Sequence, residues 1–541
     1  MNYPEPDQWI WWKHGVLYHI YPRSFMDSNG DGIGDIQGII SKLKYISDLG
    51  ADGIWLSPIY ESPMVDFGYD VSNFRKIDPV FGTMDDFMQL IREAHSLGIR
   101  VILDMILNHT SEQHNWFKDS RSSLDSDKRE WYIWRDGKKD KSPNNWKSVA
   151  GGSAWEYDEA TDQYYYHSFF REQPDLNWRN EELSREFFED IKYWLDLGVD
   201  GFRLDVINLI VKDKKFRNNP YFLGIPFLQD HTYTRNRRKS IGIVRELRKL
   251  VDLYLNKVLV GEVYTQPPGN SEVAARYLDE GKGLHMAFDF SLIFQYWSAR
   301  KYFNCIQKWY KCIPVNGWPC NVLSNHDLFR SVDRFPWRRH KDEKAKVAAM
   351  LLLTLKGTPF IYYGEEIGMR NAKIKRRDIQ DPFGKRYWPF FTGRDKARTP
   401  MQWDDTKYAG FSSVIPWLPL NRDSIARNVE FQGKETDSIL LFYKDLINIR
   451  KRLLSLQMGR WVPLLTGRGG VLVYMRVHHD ERTIIFLNFT SHTKRISLPA
   501  HSYGYVLFST HRRAKEIHFF RDLRVLPFEA TIFTETQTWT T

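Results

Sequence analysis

Four acidic residues stand where hydrophobic segments of the sequence end. They are Asp104 in RVILDMIL (100–107), Asp205 in GFRLDV (201–206), Glu262 in VLVGEVY (258–264) and Asp327 in NVLSNHD (321–327). One acid at such a place is most often a structural ion-pair partner. Four equivalent placements, with Arg203, His109 and His326 beside them, indicate an active site instead.

The chemistry that these residues favour is glycoside cleavage. The sequence offers paired carboxylates but no Ser-His pair and no cluster of metal ligands beside them. Two carboxylates separated by about 5–5.5 Å cleave glycosides with retention, one as the nucleophile and the other as acid and base.

The segments that must position these acids recur along most of the chain. Eight continuous hydrophobic runs are typical of strands buried on both faces; they are VLYHIY (16–21), GIWLSPI (53–59), RVILDMIL, GFRLDV, VLVGEVY, MAFDF (286–290), NVLSNHD and PFIYYG (359–364). Amphipathic segments with helical spacing, each ending at Gly, lie between them at 36–50, 84–98, 185–198 and 342–357. The alternation predicts an α/β fold, a (β/α)8 TIM barrel, whose catalytic residues stand at the C-terminal ends of the strands. An open doubly wound sheet is the competing fold, but no GxGxxG motif or P-loop supports it.

Two stretches interrupt this alternation. Residues 109–178 are polar, Trp-rich and irregular, and they predict a domain inserted after the third strand. Residues 459–541 change to short alternating strands, which predict a C-terminal antiparallel β-sandwich. The barrel would then be formed by 1–108 and 179–458.

Composition excludes several classes of protein. Of the 541 residues, 42% are hydrophobic, so a large core is possible, and the net charge of +10 is spread along the chain. Basic clusters such as RNRRK (235–239) are short, so we expect no nucleic-acid partner.

Three cysteines without a CxxC motif predict neither a disulfide framework nor a zinc site. The N-terminal residues do not resemble a signal peptide and no apolar run reaches about 18 residues, so we expect no membrane partner and a cytoplasmic location.

The sequence DSNGDGIGD (27–35) resembles part of a calcium loop. Oxygen ligands at Asp27, Asn29, Asp31, Asp35 and the Ile33 carbonyl have EF-hand spacing, but Gly38 stands where the bidentate Glu belongs. A strand-like run also precedes the loop where an EF-hand needs a helix. The loop is therefore predicted to bind a hard cation without being an EF-hand. The alternative is a metal-free turn held by its own side chains.

The motifs around the four acids resemble those of glycoside hydrolase family 13, the α-amylase family. Six segments carry the resemblance, in order and on the expected strands: GADGIWLSPIY (50–60), DMILNH (104–109), GFRLDV (201–206), GEVY (261–264), SNHD (324–327) and GTPFIYYGEEIGM (357–369). The inserted segment would be the family's domain B and the C-terminal sheet its domain C.

The resemblance implies a role for each residue. Asp205 would attack the anomeric carbon, and Arg203 would keep Asp205 ionised and aimed. Glu262 would protonate the leaving oxygen and then activate water, which requires a carboxyl that is still protonated when substrate binds. Asp327 would grip the sugar hydroxyls and favour a distorted ring. Hydrogen-bond donors to the sugar would be His109 and His326.

Other segments resemble the oligo-1,6-glucosidase and α-glucosidase branch of the family. One is QPDLNW (173–178), which adds Gln173 to the predicted substrate-binding residues. Tyr69 and Asp70 would stack under and hydrogen-bond the terminal glucose, and Arg398 would pair with Asp70 and close the pocket. A closed pocket implies a retaining, exo-acting α-glucosidase for short oligosaccharides, expected to be a monomer.

The same resemblance implies a metal but no organic cofactor. The 27–35 loop matches the branch's metal loop, with structural calcium, or magnesium, held by Asp27, Asn29, Asp31, Ile33 and Asp35. INLI (207–210) replaces the Lys-His pair that helps to build a structural calcium site in amylases, which argues against that second site.

Three alternatives remain open. Val206, after the nucleophile, accompanies α-1,6 preference in this branch, whereas Ala or Thr accompanies α-1,4 preference, so a maltase is one alternative. Isomerases and glucosyl transferases that act on sucrose are another, although SLIFQYWSARK (291–301) lacks the isomerase Arg-Leu-Asp-Arg-Asp loop. LFRSVDRF (328–335) also departs from many relatives on the acceptor side. A non-catalytic, transporter-associated relative is the third, but the catalytic residues are present and no anchor is seen.

Overall fold

The computed structural model describes residues 8–138, 141–222, 229–265, 268–335, 339–498 and 503–535. The strands of these residues are β1 Leu17–Ile20, β2 Gly53–Leu56, β3 Tyr60–Glu61, β4 Asn73–Ile77, β5 Arg100–Met105, β6 Trp134–Arg135, β7 Trp155–Asp158, β8 Gln163–Tyr166, β9 Gly201–Leu204, β10 Val258–Glu262, β11 Met286–Phe288, β12 Cys320–Val322, β13 Thr358–Tyr362, β14 Arg460–Thr466, β15 Val471–His478, β16 Glu481–Asn488, β17 Lys494–Ile496, β18 Tyr503–Ser509, β19 Ile517–Phe519, β20 Leu523–Val525 and β21 Ala530–Thr534. Their α-helices are α1 Trp11–His14, α2 Ile36–Ser41, α3 Leu43–Leu49, α4 Met84–Ser96, α5 Asn115–Ser122, α6 Glu181–Asp196, α7 Arg238–Val251, α8 Ser271–Arg276, α9 Ala299–Cys312, α10 Ser331–Arg334, α11 Lys341–Thr354, α12 Pro382–Tyr387, α13 Val429–Lys434, α14 Ile439–Arg452 and α15 Leu454–Gln457. None of these helices is long and apolar enough to cross a membrane.

Eight parallel strands form the central sheet, in the order β11-β10-β9-β5-β2-β1-β13-β12. The two strands at the ends of this order, β11 and β12, also lie side by side, so the sheet curls into a barrel. Each of the eight predicted strands contributes one of these strands, and the predicted TIM barrel is confirmed. Apolar side chains such as Leu17, Trp55, Ile102, Val260 and Phe360 fill its interior.

The amphipathic segments form helices outside the barrel. The segment 36–50 divides into α2 and α3, and α3 ends at Gly50, whose φ of 94° lies in the left-handed region that glycine favours. Thr83 and Asp86 form a capping box at the start of α4. These local signals explain why sequence periodicity located the helices correctly.

The last of these segments, which forms α11, differs from the prediction of an amphipathic helix. From Lys344 to Thr354 its residues are buried on every side, including Lys344 and Lys346. The reason is tertiary: α14 and the C-terminal strands β16 and β21 cover the face that would otherwise meet water. The Lys346 ammonium donates to the Asp437 carboxylate at 2.6 Å.

The C-terminal strands form a six-stranded antiparallel sheet, in the order β14-β15-β16-β21-β18-β19, and a two-stranded sheet, β17-β20. Side chains of the two sheets pack in one apolar cluster. A buried arginine of β15 joins this domain to the barrel: Arg476 donates to the Thr354 carbonyl, at the end of α11, at 2.7 Å. Arg450, in α14 of the barrel part, donates to the nearby carbonyls of Leu353 and Gly357 at 2.7 and 2.9 Å.

The inserted segment lies between β5 and α6 and contains the three-stranded sheet β6-β8-β7. A buried lysine fastens it to the barrel. The Lys212 ammonium donates to Asn108 Oδ1 at 2.9 Å and forms an ion pair with Asp175, which lies in QPDLNW. Asp175 also accepts from Asn108 and from Ser168. The positive charge at this junction therefore comes from the Lys212 side chain.

Candidate active site

The barrel brings the four predicted acids to one end of the sheet. Asp104 lies near the end of β5, Asp205 directly after β9, Glu262 at the end of β10 and Asp327 in the loop after β12. Parallel strands place their C-terminal ends at the same edge of a barrel, which explains why acids far apart in sequence meet.

Arg203, inside β9, is the centre of the cluster. Its Nη1 donates to Asp104 Oδ1 at 2.7 Å and to Asp205 Oδ1 at 2.8 Å, and its Nη2 donates to Glu262. Burial opposes the charged guanidinium, but the surrounding carboxylates hold the pKa of Arg203 above its usual value. One cation is therefore shared by three carboxylates.

The shared cation cannot neutralise all three acids. Burial raises the pKa of Asp104 to about 6, although Arg203 opposes the change. Burial likewise raises the pKa of Asp205, and the negative charges of Glu262 and Asp104 and a hydrogen bond with Glu262 add to the effect. We infer that the group holds at least one proton near neutral pH in the absence of substrate.

Asp327 has the opposite environment. Burial alone would raise its pKa, but His326, Arg394 and Arg398 together hold the pKa of Asp327 below its usual range. Arg398 and Arg394 donate to its Oδ1 at 3.0 and 3.3 Å. The pKa values of Asp327 and Asp205 are therefore shifted in opposite directions. Carboxylates whose environments separate their pKa values are typical of acid and base catalysis.

Asp205, Glu262 and Asp327 line a cavity of about 350 Å³. Of the predicted substrate-binding residues, Tyr69, His109, Val206 and His326 also line it. The Tyr69 hydroxyl donates to Asp104 at 3.0 Å, and the ring stacks on His326 at 5.4 Å. Burial lowers the pKa of His109 to about 4 and that of His326 to about 3, so both are neutral near pH 7.

Four other predicted residues stand behind the cavity wall. Arg203 orients the acids, as described above. Gln173 is fully buried, and its Nε2 lies 3.1 Å from His109 Nε2. Asp70 and Arg398 are also fully buried. These four residues contact the lining residues rather than the cavity itself.

The predicted pair between Arg398 and Asp70 is wrong. Arg398 donates to the His326 carbonyl at 2.7 Å and to Asp327. Asp70 instead accepts from the backbone N–H groups of Val65 and Asp66 at 2.9 and 2.8 Å. Its carboxylate is thus used within its own loop.

The ion pair that faces the cavity is Asp66 with Arg394, which sequence reasoning missed. Arg394 Nη2 donates to Asp66 Oδ1 at 2.6 Å and to Asp381 at 2.8 Å. Positive φ values at Phe67 and Gly68 turn the chain so that Asp66 and Tyr69 line the cavity while Asp70 points away. The signal was present in the first arginine of GRDKAR (393–398), four residues before Arg398.

Val206 has an unusual backbone. Its φ of 35° lies in the left-handed region, where a β-branched residue is strained by about 1–3 kcal/mol. Backbone hydrogen bonds hold both neighbours: Asp205 N–H donates to the Met105 carbonyl and Ile207 N–H to the Glu262 carbonyl, each at 3.0 Å. The strained turn directs the Val206 side chain to the cavity beside Asp205.

A second cavity, of about 440 Å³, lies between the inserted segment and the barrel. Its acids are Glu130 and Asp213, and Asp213 is paired with Arg217 and Arg237. Its described lining offers no pair of carboxylates that share one cation, as Asp205 and Glu262 share Arg203 in the first cavity. The reaction therefore belongs to the first cavity.

The loop 27–35 is closed by its own hydrogen bonds. Backbone N–H groups donate to its side chains as follows: Gly30 and Gly32 to Asp27, Asp31 to Asn29, Ile33 to Asp31, and Gly38 to Asp35. In the described residues no three His, Cys, Asp or Glu side chains are grouped to hold a metal. The carboxylates of Asp27, Asp31 and Asp35 accept hydrogen bonds within the loop, and binding of calcium or magnesium by the loop stays a prediction.

Comparisons with known proteins agree with this site. A family model described as the alpha amylase catalytic domain matches residues 19–459. The chain is 41% identical over 512 residues to a probable alpha-glucosidase of Rhizobium meliloti, covering 92% of each protein. It is 39% identical over 561 residues to an oligo-1,6-glucosidase of Parageobacillus thermoglucosidasius, covering 97% of this chain and 99% of the relative.

Solved structures give the same result. The alpha-glucosyl transfer enzyme XgtA superposes with a TM-score of 0.91 at 36% identity, covering 97% of this chain and 100% of that enzyme. The trehalulose synthase MutB of Pseudomonas mesoacidophila superposes with a TM-score of 0.88 at 34% identity, covering 97% and 99%.

The contacts of Arg203 with three carboxylates lead to a prediction about the pH dependence of activity. If Asp205 reacts in its ionised form, activity is present above its raised pKa and is lost as the pH falls through it. Asp104→Asn removes a negative charge that raises this pKa. We expect the acid limb of kcat/KM to move down by roughly one pH unit, equivalent to about 1.4 kcal/mol. The surface variant Asp48→Asn is the matched control, and an unmoved or raised acid limb in Asp104→Asn contradicts the prediction.

The metal loop generates a prediction about stability. An ion that binds only the folded state raises the melting temperature by mass action. We expect elemental analysis to find calcium or magnesium in the purified protein, a chelator to lower the Tm, and Asp31→Ala to abolish that decrease. If the purified protein contains no metal and a chelator leaves its Tm unchanged, the loop is held by its internal hydrogen bonds alone.

Proposed function

Because the chain belongs to the α-amylase family of glycoside hydrolases and is an enzyme that hydrolyses glycosidic bonds, we propose that it is a retaining, exo-acting α-glucosidase. Its substrates would be short oligosaccharides, with α-1,6 links preferred. The observation that carries this proposal is the pair Asp205 and Glu262, which share Arg203 and line the same cavity.

The groups around each carboxylate suit its proposed role. Asp205, aimed by Arg203, attacks the anomeric carbon, and Glu262 donates a proton to the leaving oxygen. Burial raises the pKa of Asp205 in the free protein, and catalysis requires Asp205 to be ionised and a proton to lie on Glu262 when substrate is bound. Asp327, held ionised by two arginines, accepts hydrogen bonds from the sugar hydroxyls and favours the positively charged transition state.

The inner end of the cavity supports exo action. Arg394 joins Asp66, Asp381 and Asp327 through ion pairs. These acids come from three separate segments, and the proposal is that the bridge closes the cavity behind the sugar that faces Asp205. A closed end leaves room for a terminal glucose rather than for a continuing chain.

A sucrose-acting transferase or isomerase is the second candidate. The similarity to a trehalulose synthase and to a glucosyl transfer enzyme favours it. The segment 291–301 lacks the Arg-Leu-Asp-Arg-Asp sequence that the isomerases carry, which favours hydrolysis instead. Incubation with sucrose, isomaltose, maltose and trehalose, followed by product analysis, separates the two.

A monomeric state and a cytoplasmic location also stay predictions.

The nucleophile is tested by Asp205→Asn. We expect a folded protein that loses nearly all hydrolysis, because an amide cannot form the covalent glycosyl intermediate. Glu262→Gln should be similarly inactive on isomaltose but less impaired in the glycosylation step on activated aryl glucosides, which need little acid assistance. Kinetics on both substrates check this, with Tm measurements as the control for folding. Near-normal activity of Asp205→Asn would remove Asp205 from the mechanism.

The linkage preference is tested at Val206. Its branched side chain borders the space beside Asp205 and would crowd an α-1,4-linked second ring. An α-1,6 link adds a rotatable methylene that moves this ring away. Such a contact discriminates by roughly 10–200-fold. We expect wild type to have a higher kcat/KM on isomaltose than on maltose and Val206→Thr to reduce that ratio. Preference of the wild type for maltose would indicate the maltase alternative.

A further inference from the structure

The cavity between the inserted segment and the barrel has a basic wall. Its volume of about 440 Å³ is within the range of small-molecule sites in proteins. Five basic and two acidic side chains line it, and the basic ones are Arg135, Arg179, Lys212, Lys214 and Lys239. The described linings of this cavity and of the active-site cavity have no residue in common. The basic cavity is therefore separate from the active site.

The acids leave most of this positive charge uncompensated. Asp213 forms ion pairs with Arg217 and Arg237, which do not line the cavity. The other acidic lining residue is exposed to solvent. Lys212 is paired with Asp175, but within the described parts of the chain the other four basic lining residues form no ion pair. An excess of positive charge thus faces the cavity.

Neutral groups hold the two arginines of the wall. The Arg135 guanidinium, in β6, lies 4.1 Å from the ring centroid of Phe216 and donates to the Trp134 carbonyl at 2.8 Å. Arg179 Nη2 donates to the Lys212 carbonyl at 2.7 Å. A guanidinium has five N–H donors. Each arginine therefore keeps donors that have no protein partner among the residues that the structure describes.

The surroundings of Arg179 favour an added negative charge. Burial lowers the pKa of its guanidinium from the usual value, and the positive charge of Arg237 adds to this effect while Asp213 opposes it. An anion bound beside Arg179 would oppose the lowering, because it stabilises the charged form. A perturbed ionisable group in a cavity indicates a candidate binding site.

We propose that this cavity binds the phosphate group of a small ligand, either a sugar phosphate or free phosphate. Guanidinium groups present paired N–H donors that match phosphate oxygens, and the ammonium groups of Lys214 and Lys239 add positive charge. A cavity of this volume has room for a small molecule but not for a nucleic-acid duplex. Arg135 belongs to the inserted segment and Lys239 to α7, so the bound anion would join two parts of the molecule.

Titration calorimetry in a phosphate-free buffer tests the ligand class. The probes are inorganic phosphate, glucose 6-phosphate and glucose, all at one ionic strength, so that general screening of charges is the same. We expect saturable binding of both phosphate compounds, each tighter than any binding of glucose. Tighter binding of glucose 6-phosphate than of inorganic phosphate identifies a sugar phosphate as the ligand. Equal binding of the two identifies the phosphate group alone.

Matched variants assign the binding to the cavity. Arg135→Gln and Arg179→Gln each remove hydrogen bonds of a charged donor and should weaken binding by roughly tenfold or more. Lys239→Gln should weaken it as well. Lys249→Gln is the control, because Lys249 is exposed, lies outside the lining and stands about 15 Å further along the same helix, beyond the screening distance at physiological salt. Tm measurements show whether each variant is folded.

The following results overturn the inference. One is the absence of saturable binding of both phosphate compounds. Another is an affinity that stays unchanged in Arg135→Gln, Arg179→Gln and Lys239→Gln. Equal weakening in Lys239→Gln and Lys249→Gln would indicate a general attraction to a basic protein and overturns it too. None of these results bears on the proposed glucosidase function, because the two cavities have no described lining residue in common.

Discussion

A single buried guanidinium, that of Arg203, carries the positive charge that Asp104, Asp205 and Glu262 share. The three acids come from three neighbouring strands of the barrel, so their separation is fixed by strand spacing and register. A buried charge left without its partner is strongly destabilising. The barrel end and the charge cluster therefore depend on each other. The sheet positions the acids, and the positive charge of Arg203 lowers the free-energy cost of burying them.

The charged groups around Asp327 form a second cluster, and they shift its pKa in the opposite direction to that of Asp205. His326, Arg394 and Arg398 hold the pKa of Asp327 below its usual range, whereas burial raises the pKa of Asp205, which shares the single guanidinium of Arg203 with Asp104 and Glu262. Two carboxylates with oppositely shifted pKa values thus stand within one cavity. The difference arises from the surroundings of each acid rather than from the acids themselves.

Buried cations fasten the parts outside the barrel to it. Lys212 fastens the inserted segment through Asp175 and Asn108, beside His109 in the cavity wall. Arg476 joins the C-terminal domain to the end of α11, where Arg476 and Arg450 of α14 donate to carbonyl groups that a helix leaves unpaired. The first junction lies beside the active site. The second lies at the opposite end of the barrel, because α11 ends just before β13 begins.

The sequence by itself determined the barrel and its acids. Strands buried on both faces appear as continuous apolar runs, and acids at their C-terminal ends must converge once the barrel closes. This is why the eight strands and the cluster of Asp104, Asp205 and Glu262 could be predicted. Their positions follow from local patterns combined with one rule of topology.

Only the tertiary structure decided which loop residues face the cavity. Asp66 and Asp70 have the same chemistry and flank the same tyrosine, and backbone turns at Phe67 and Gly68 choose between them. The pairing of Arg394 rather than Arg398 with Asp66 likewise depends on how two distant loops pack. The burial of α11 required the C-terminal sheet. The aromatic residues that line the cavity, such as Tyr69 and Phe169, come from separate segments, so no periodicity in the sequence could reveal that they meet. Loop conformation and long-range packing leave no repeating signal along the chain, whereas strands and helices do.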